Sequence, residues 1–146
     1  RGYPLSVFED AFHRLRQIDI PVIVHVILGL PGETHDDIIK ETEMLSELPL
    51  TTLKLHQLQL IRGTRMAEEY FTSPEDFHLY TADEYIDLVI DFVEHLRPDI
   101  VLERFASQSP SSLLAVPGWG LKNYEFVDKV RKRMDELNAC QGRLYV

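Results

Sequence analysis

The chain has 146 residues, 45% of them hydrophobic, and its 24 acidic and 15 basic residues give a formal net charge of −9. This length can bury the core of one domain-sized unit, and the acidic balance argues against a broad, non-specific nucleic-acid surface. The longest apolar run, Val22 to Leu28, is far shorter than the roughly 20 residues of a membrane helix, so we expect no membrane partner. A single cysteine, Cys140, cannot form an internal disulfide, which favours a cytoplasmic location.

The first third of the chain predicts a helix, a strand and a second helix. Ser6-Val7-Phe8-Glu9 has the pattern of a capping box that starts a helix. The nearly continuous apolar run over residues 22–28 predicts a strand buried on both faces, as strands of parallel sheets are. A second helix is predicted to start at Thr34.

A second strand is predicted over residues 53–60. Two leucines lie on one face of this strand, and Lys54 and His56 lie on the other. The alternation slips at residues 57–58, which indicates a β-bulge.

Two more helices and a third strand complete the pattern. A short helix is predicted near residues 65–70, a longer one after a capping box at Thr81, a strand from Ile100 to Phe105, and a last helix over residues 126–137. Three strands separated by helices imply parallel, right-handed crossovers. Because no strand precedes the first helix, we expect a missing neighbour. The fold class is therefore α/β, as the distal half of an incomplete (β/α) TIM-like barrel truncated at the N-terminus.

In such a barrel the active site lies at the carboxyl ends of the strands. The first of these ends carries the glycine turn Gly29-Leu30-Pro31-Gly32-Glu33-Thr34. A turn between a strand and a helix can present backbone N–H groups to a cofactor. The same turn also has a simpler interpretation as a tight connection, and it lacks the lysine and hydroxyl residue of a P-loop.

Polar side chains on the second strand also point to a lumen, since helices usually cover both faces of a parallel sheet. His56 is either a hydrogen-bonded structural histidine or a ligand contact. Arg62 belongs either to the turn at Gly63 or to a carboxylate or phosphate site. Of the neighbours at the end of the third strand, we expect Glu103 to be structural and Arg104 to face a substrate.

Other residues favour structural roles. The six histidines show no zinc-ligand spacing, so we expect no metal site in this chain. Cys140 has no histidine near it in sequence, which argues against a catalytic nucleophile. Trp119 either stacks on a substrate base or fills the core under a loop.

Three segments, in their order and spacing, resemble the carboxyl-terminal half of a radical S-adenosylmethionine (SAM) enzyme. They are the glycine turn, the segment from Leu53 to Thr64, and Leu102-Glu103-Arg104. More narrowly, the chain resembles a bacterial family related to the radical SAM subunit of Elongator. The resemblance assigns residues 1–50 to the distal part of the barrel core and residues 51–146 to the carboxyl-terminal region.

The resemblance implies two sets of site residues. The cofactor-binding set, near the adenine and the nucleoside of SAM, is Ile27, Leu28, Gly29, Gln57 and Leu58. The substrate-binding set is His56, Arg62 and Arg104. The side chain in Gly29→Val is expected to project toward the ligand and to weaken SAM binding more than folding.

The implied reaction is reductive cleavage of SAM to a 5'-deoxyadenosyl radical by a [4Fe-4S] cluster. Such enzymes hold the cluster on three closely spaced cysteines, so we expect SAM and the cluster in the full-length protein and neither bound to this fragment. The implied partners are the missing N-terminal half, a reducing electron donor and, by analogy with Elongator, a tRNA uridine. With a strand edge left unpaired, the fragment is also expected to self-associate.

Two alternatives use the same residues. One is a phosphate-binding (β/α)-barrel enzyme fragment in which Arg62 and the glycine turns hold phosphate. The other is a non-catalytic binding or assembly module built on a half-barrel.

Overall fold

The computed structural model describes residues 4–146. Its helices are α1 (Leu5–Gln17), α2 (His35–Glu47), α3 (Arg65–Thr72), α4 (Ala82–His95) and α5 (Asn123–Leu137), and its strands are β1 (Ile23–Leu28), β2 (Thr52–Gln57) and β3 (Val101–Arg104). Short 3₁₀ turns occur at Pro74–Asp76 and Ser111–Leu113. Within the described residues, no helix is long and apolar enough to cross a membrane.

The three strands form one open, parallel sheet in the order β1-β2-β3. This arrangement, with helices between the strands, confirms the predicted α/β fold class. The bulge predicted at residues 57–58 is wrong. The irregularity lies between Leu53 and Lys54, where β2 shifts register against β3, and β2 ends at Gln57.

Side-chain caps define two of the helix starts, as predicted. Thr34 Oγ1 accepts a hydrogen bond from Asp37 N (3.2 Å), and Thr81 Oγ1 accepts one from Glu84 N (3.3 Å). The capping box predicted at Ser6 is wrong, because α1 begins one residue earlier, directly after Pro4. Proline has no N–H to satisfy and its φ is already fixed, so it marks a helix boundary without a side-chain cap.

The helices cover one face of the sheet. Val24 and Leu28 of β1 and Leu53 and Leu55 of β2 are buried in a core shared with α2, α4 and α5. That core includes Phe12, Ile38, Leu45, Tyr85, Ile86, Val89, Phe92, Val93, Phe126 and Val130.

The other face of the sheet is uncovered within residues 4–146. We call it the open face, and it carries Ile23, His25 and Ile27 of β1 with Lys54 and His56 of β2. Ile23 and Ile27 are 46% and 44% exposed, so the prediction that β1 is buried on both faces is wrong. A continuous apolar run reports how hydrophobic a strand is, and it does not report which part of a protein covers it.

A hydrogen-bond network holds the amino ends of β2 and β3, opposite the candidate site. The Arg97 guanidinium donates to the carbonyl oxygens of Ser46 (2.7 Å), Leu48 (3.1 Å) and Leu50 (3.0 Å). The Gln141 amide donates to the carbonyl oxygens of Arg97 (2.9 Å) and Ile100 (2.8 Å). These bonds satisfy carbonyls in the last turn of α2 and just after α2 and α4, where a helix end leaves acceptors unpaired.

Candidate functional site

The glycine turn after β1 is closed by its own side chain. Glu33 Oε2 accepts hydrogen bonds from Gly29 N (3.1 Å) and Leu30 N (2.8 Å). The N–H of Gly32 donates to the carbonyl of Asp76 and that of Glu33 to the carbonyl of Leu30. Since Pro31 has no N–H, the donors of residues 29–33 are all engaged, and the expectation that the turn offers free N–H groups is not met.

Gly29 packs against protein in this structure. Its φ is +85°, and a Cβ there would lie 2.9 Å from Cε2 of Tyr80. A side chain at this position would meet Tyr80 within the chain, so Gly29→Val is expected to affect folding as well, and its larger effect on SAM binding stays a prediction. Leu28 is fully buried, which leaves Ile27 as the member of the predicted adenine group with an exposed side chain.

A line of polar side chains crosses the carboxyl half of the open face. His56 Nε2 lies 3.1 Å from His25 Nδ1, and the two rings stack at 5.0 Å between centroids with 17° between their planes. On its other side, His56 Nδ1 is in hydrogen-bond contact with Ser107 Oγ. Burial lowers the pKa of His56, and the neighbouring His25, Arg104 and Lys54 lower it further.

The charged residues on β2 and β3 are arranged around this line. Lys54 Nζ is 2.8 Å from Glu103 Oε1, and Lys54 is largely buried, with 18% of its side chain exposed. This ion pair agrees with the structural role predicted for Glu103. Arg104 is exposed and close enough to His56 to disfavour a charge on that ring. The structure thus places His56 and Arg104, which are both predicted to bind a substrate, close to each other.

Gln57 fastens the end of β2 to the segment after β3. Its Oε1 accepts from Ser107 N (2.7 Å), and its Nε2 donates to Ser107 O (2.8 Å). Two residues further along both segments, Gln59 Oε1 accepts a hydrogen bond from Ser109 Oγ (2.7 Å). Both polar ends of the Gln57 amide are therefore used within the protein, while Leu58, also predicted to lie near the nucleoside, is partly buried.

A groove of about 660 Å³ lies beside these glutamines, between the segment after β2 and residues 107–121. Arg62 lies on this groove, whereas His56 and Arg104 belong to the open face. The predicted substrate residues therefore divide between two neighbouring surfaces that meet at Gln57 and Ser107.

Trp119 supports the floor of the groove. Its Nε1 donates to the carbonyl of Tyr80 (2.9 Å), and its ring stacks on Phe126 at 5.4 Å between centroids. These contacts favour the interpretation of Trp119 as a core residue under a loop.

Sequence reasoning missed His25 and Ser107. A signal for His25 existed, because it is the one polar residue in β1 and parallel pairing aligns it with Lys54 of β2. Ser107 had no comparable signal, since it lies in a serine-rich loop 51 residues from its partner His56.

The described residues do not fit an iron–sulfur cluster. No group of three or more His, Cys, Asp or Glu side chains among residues 4–146 could hold a metal ion. Cys140 is exposed and supplies one thiolate where such clusters use several.

Comparison with known proteins identifies relatives of this arrangement. Residues 50–136 match the family model described as the Radical_SAM C-terminal domain. The chain is 31% identical over 143 residues to an uncharacterized protein of Methanocaldococcus jannaschii, covering 97% of this chain and 44% of that protein. It is 26% identical over 145 residues to the uncharacterized protein YtqA of Bacillus subtilis, covering 99% of this chain and again 44% of the relative.

The chain thus spans less than half the length of these curated relatives. A solved structure of the archaeal Methanocaldococcus infernus Elp3, with an N-terminal deletion, has a TM-score of 0.81 at 17% identity. The match covers 97% of this chain and 33% of that one. It shows that the two share a fold.

Proposed function

The chain belongs to the family of the radical SAM C-terminal domain, and we propose that it forms one wall of a radical SAM enzyme whose cofactor and substrate lie against the open face. The observation that carries the proposal is the open face itself. A parallel sheet normally has both faces covered, yet here exposed isoleucines and polar side chains share one uncovered face. Such a face is suited to line the lumen of a barrel, with ligands at the carboxyl ends of the strands.

The proposal divides the cofactors between this chain and the rest of the protein. The absence of a cluster-binding group among residues 4–146 supports cluster ligands outside the described region, where a reducing electron donor would also act. When bound, SAM supplies the 5'-deoxyadenosyl radical that abstracts hydrogen from a substrate. This chain's contribution is to shield and position: the exposed side chain of Ile27 offers an apolar surface for the adenine, beside the carboxyl end of β1.

A matched pair of substitutions tests this proposal in the full-length protein. Ile27→Gln places a polar group at the proposed adenine surface, and we expect it to weaken SAM binding by about tenfold, the effect of losing contact with one apolar side chain. Ile23→Gln is the control, since it changes the same residue type on the same strand and face at a nearly equal exposure. Isothermal titration calorimetry measures both affinities.

The result is informative because both isoleucines lie outside the hydrophobic core of this chain, so both variants should fold. Equal affinities for Ile27→Gln, Ile23→Gln and the unmodified protein would show that the carboxyl half of β1 does not contact SAM. Equal losses in both variants would indicate a general disturbance of the sheet.

For the substrate, we propose a tRNA whose uridine lies at the carboxyl end of the open face, where this face meets the groove, and whose neighbouring nucleotide enters the groove. The support is the resemblance to the Elongator subunit, a groove volume in the range of nucleoside-sized sites, and the position of Arg62 on it. With a net charge of −9 on this chain, most phosphate contacts belong to other parts of the protein. Arg62→Ala should weaken tRNA binding by the full-length protein, with Arg65→Ala as the control; equal binding by both variants contradicts a tRNA contact in the groove.

A further inference from the structure

His25, His56 and Ser107 come from three separate parts of the fold and form one hydrogen-bonded line. His25 lies on β1, His56 on β2, and Ser107 in the loop after β3. His25, at the outer end of the line, is exposed, and within residues 4–146 its Nε2 has no hydrogen-bond partner. The line therefore ends at a ring nitrogen that is open to a ligand on the open face.

The positions of the protons follow from the donors and acceptors available. If His25 is protonated, both of its nitrogens carry hydrogen, so Nδ1–H must donate to His56 Nε2. His56 must then be neutral, with its own proton on Nδ1, donating to the Ser107 hydroxyl oxygen. A single proton on His25 thus sets every bond along the line.

The surrounding charges favour this placement of the proton over its alternative. Around His56, β2 contributes Lys54 and β3 contributes Arg104, and the carboxylate of Glu103 is already paired with Lys54. The lowered pKa of His56 keeps that ring neutral. His56 is therefore the ring that accepts the bond within the line, and His25, at the exposed end, is the ring with a nitrogen open to a ligand.

We propose that His25 is the proton acceptor for a ligand bound on the open face, with His56 as the positioning residue that receives its Nδ1–H bond and Ser107 as the group that fixes the tautomer of His56. The ligand is a neutral molecule with a weakly acidic O–H or N–H group. In the step, that O–H or N–H bond breaks and an N–H bond forms at His25 Nε2. The electron pair stays on the ligand as an anion, and no oxidant or reductant is involved.

The position of the ligand rests on the proposed function, whereas the direction of the hydrogen bonds from His25 through His56 to Ser107 rests on contacts within this chain alone. The test therefore uses the 146-residue chain without SAM or substrate. Nitrogen-15 NMR of the histidine rings is recorded as the pH is lowered. We expect His56 to stay neutral, with its proton on Nδ1.

One variant, with a matched control, tests the inner end of the line. Ser107→Ala removes the acceptor for His56 Nδ1–H, and we expect the fraction of His56 in the Nδ1–H form to fall. His13→Gln, on the exposed side of α1, is the control and should leave both ring spectra unchanged. The inference is overturned if His56 takes the first proton, or if Ser107→Ala leaves the tautomer of His56 unchanged.

Reactivity at the outer nitrogen gives a second readout. Diethyl pyrocarbonate modifies unprotonated imidazole nitrogens, and peptide mapping reports the rate at His25 separately from that at His13. His56→Phe removes the acceptor behind His25, so we expect its modification rate to fall by up to about tenfold, the value of one hydrogen bond between neutral groups. His56→Gln retains an acceptor and should keep most of the rate. An unchanged rate in His56→Phe overturns the role of His56, and a negative result here leaves the SAM-binding test unaffected.

Discussion

Replacing Gln57 by leucine should destabilise the chain through two specific bonds. The substitution keeps a side chain of similar size and removes both hydrogen bonds to the backbone of Ser107 (2.7 and 2.8 Å). Each such bond contributes about 0.5–1.5 kcal/mol net, and a partly buried partner left without a hydrogen bond adds to the loss. We therefore expect the free energy of unfolding to fall by about 2–3 kcal/mol. That is a large part of the roughly 5–15 kcal/mol that holds a typical domain folded.

Urea unfolding followed by circular dichroism measures this loss. Gln59→Leu is the matched control, because it removes one bond, from Ser109 Oγ, and should cost about 1 kcal/mol. If Gln57→Leu costs less than about 1 kcal/mol, or no more than Gln59→Leu, then Gln57 does not hold the segment after β3. In that case its amide would be free for the cofactor contact that the resemblance to radical SAM enzymes implies.

Four further predictions concern the stability and the assembly of the chain. Arg97→Met should lower the free energy of unfolding by about 3 kcal/mol, because three carbonyls lose a charged donor; a loss below about 1 kcal/mol in urea unfolding contradicts this. Gly29→Ala should destabilise the chain more than Gly32→Ala, since both have positive φ but only the first meets Tyr80; equal melting temperatures would show that Tyr80 moves aside freely. Burial, and to a smaller extent the charge of Glu33, raises the pKa of Glu41 from 4.5 to about 7, so the charged form of Glu41 opposes folding increasingly as the pH rises through that range. Glu41→Gln should therefore raise the free energy of unfolding at pH 8 and have little effect at pH 4. An equal increase at both pH values would show that the charge of Glu41 is not the cause. The chain alone should self-associate through the free edge of β1, and light scattering that shows only a 17.0 kDa monomer would contradict it.

Features set by neighbouring residues could be predicted from the sequence. The caps at Thr34 and Thr81 depend on side chains three residues away, and both helices start there. The alternation along β2 correctly placed Lys54 and His56 on the face opposite the buried leucines. Short-range periodicity carries this information because it follows directly from helix and strand geometry.

Features set by distant residues could not be predicted in the same way. The pairing of Gln57 and His56 with Ser107 depends on a loop about 50 residues away, and sequence spacing does not encode its path. Glu33 precedes α2 and closes the glycine turn through bonds to Gly29 N and Leu30 N, a role that the sequence pattern did not indicate. Here the strand-end geometry decided the role of the carboxylate.

The network of Arg97 and Gln141 has a consequence for how such a domain can diversify. It anchors the amino ends of two strands by bonds to backbone carbonyls, at the end opposite the groove. Loops at the carboxyl ends can therefore change in length and composition during evolution without disturbing the anchored end of the sheet. The bonds of Ser107 with Gln57, of Leu113 and Ala115 with the segment after β2, and of Trp119 with Tyr80 limit this freedom, so insertions that reshape the groove are best tolerated between these tied positions.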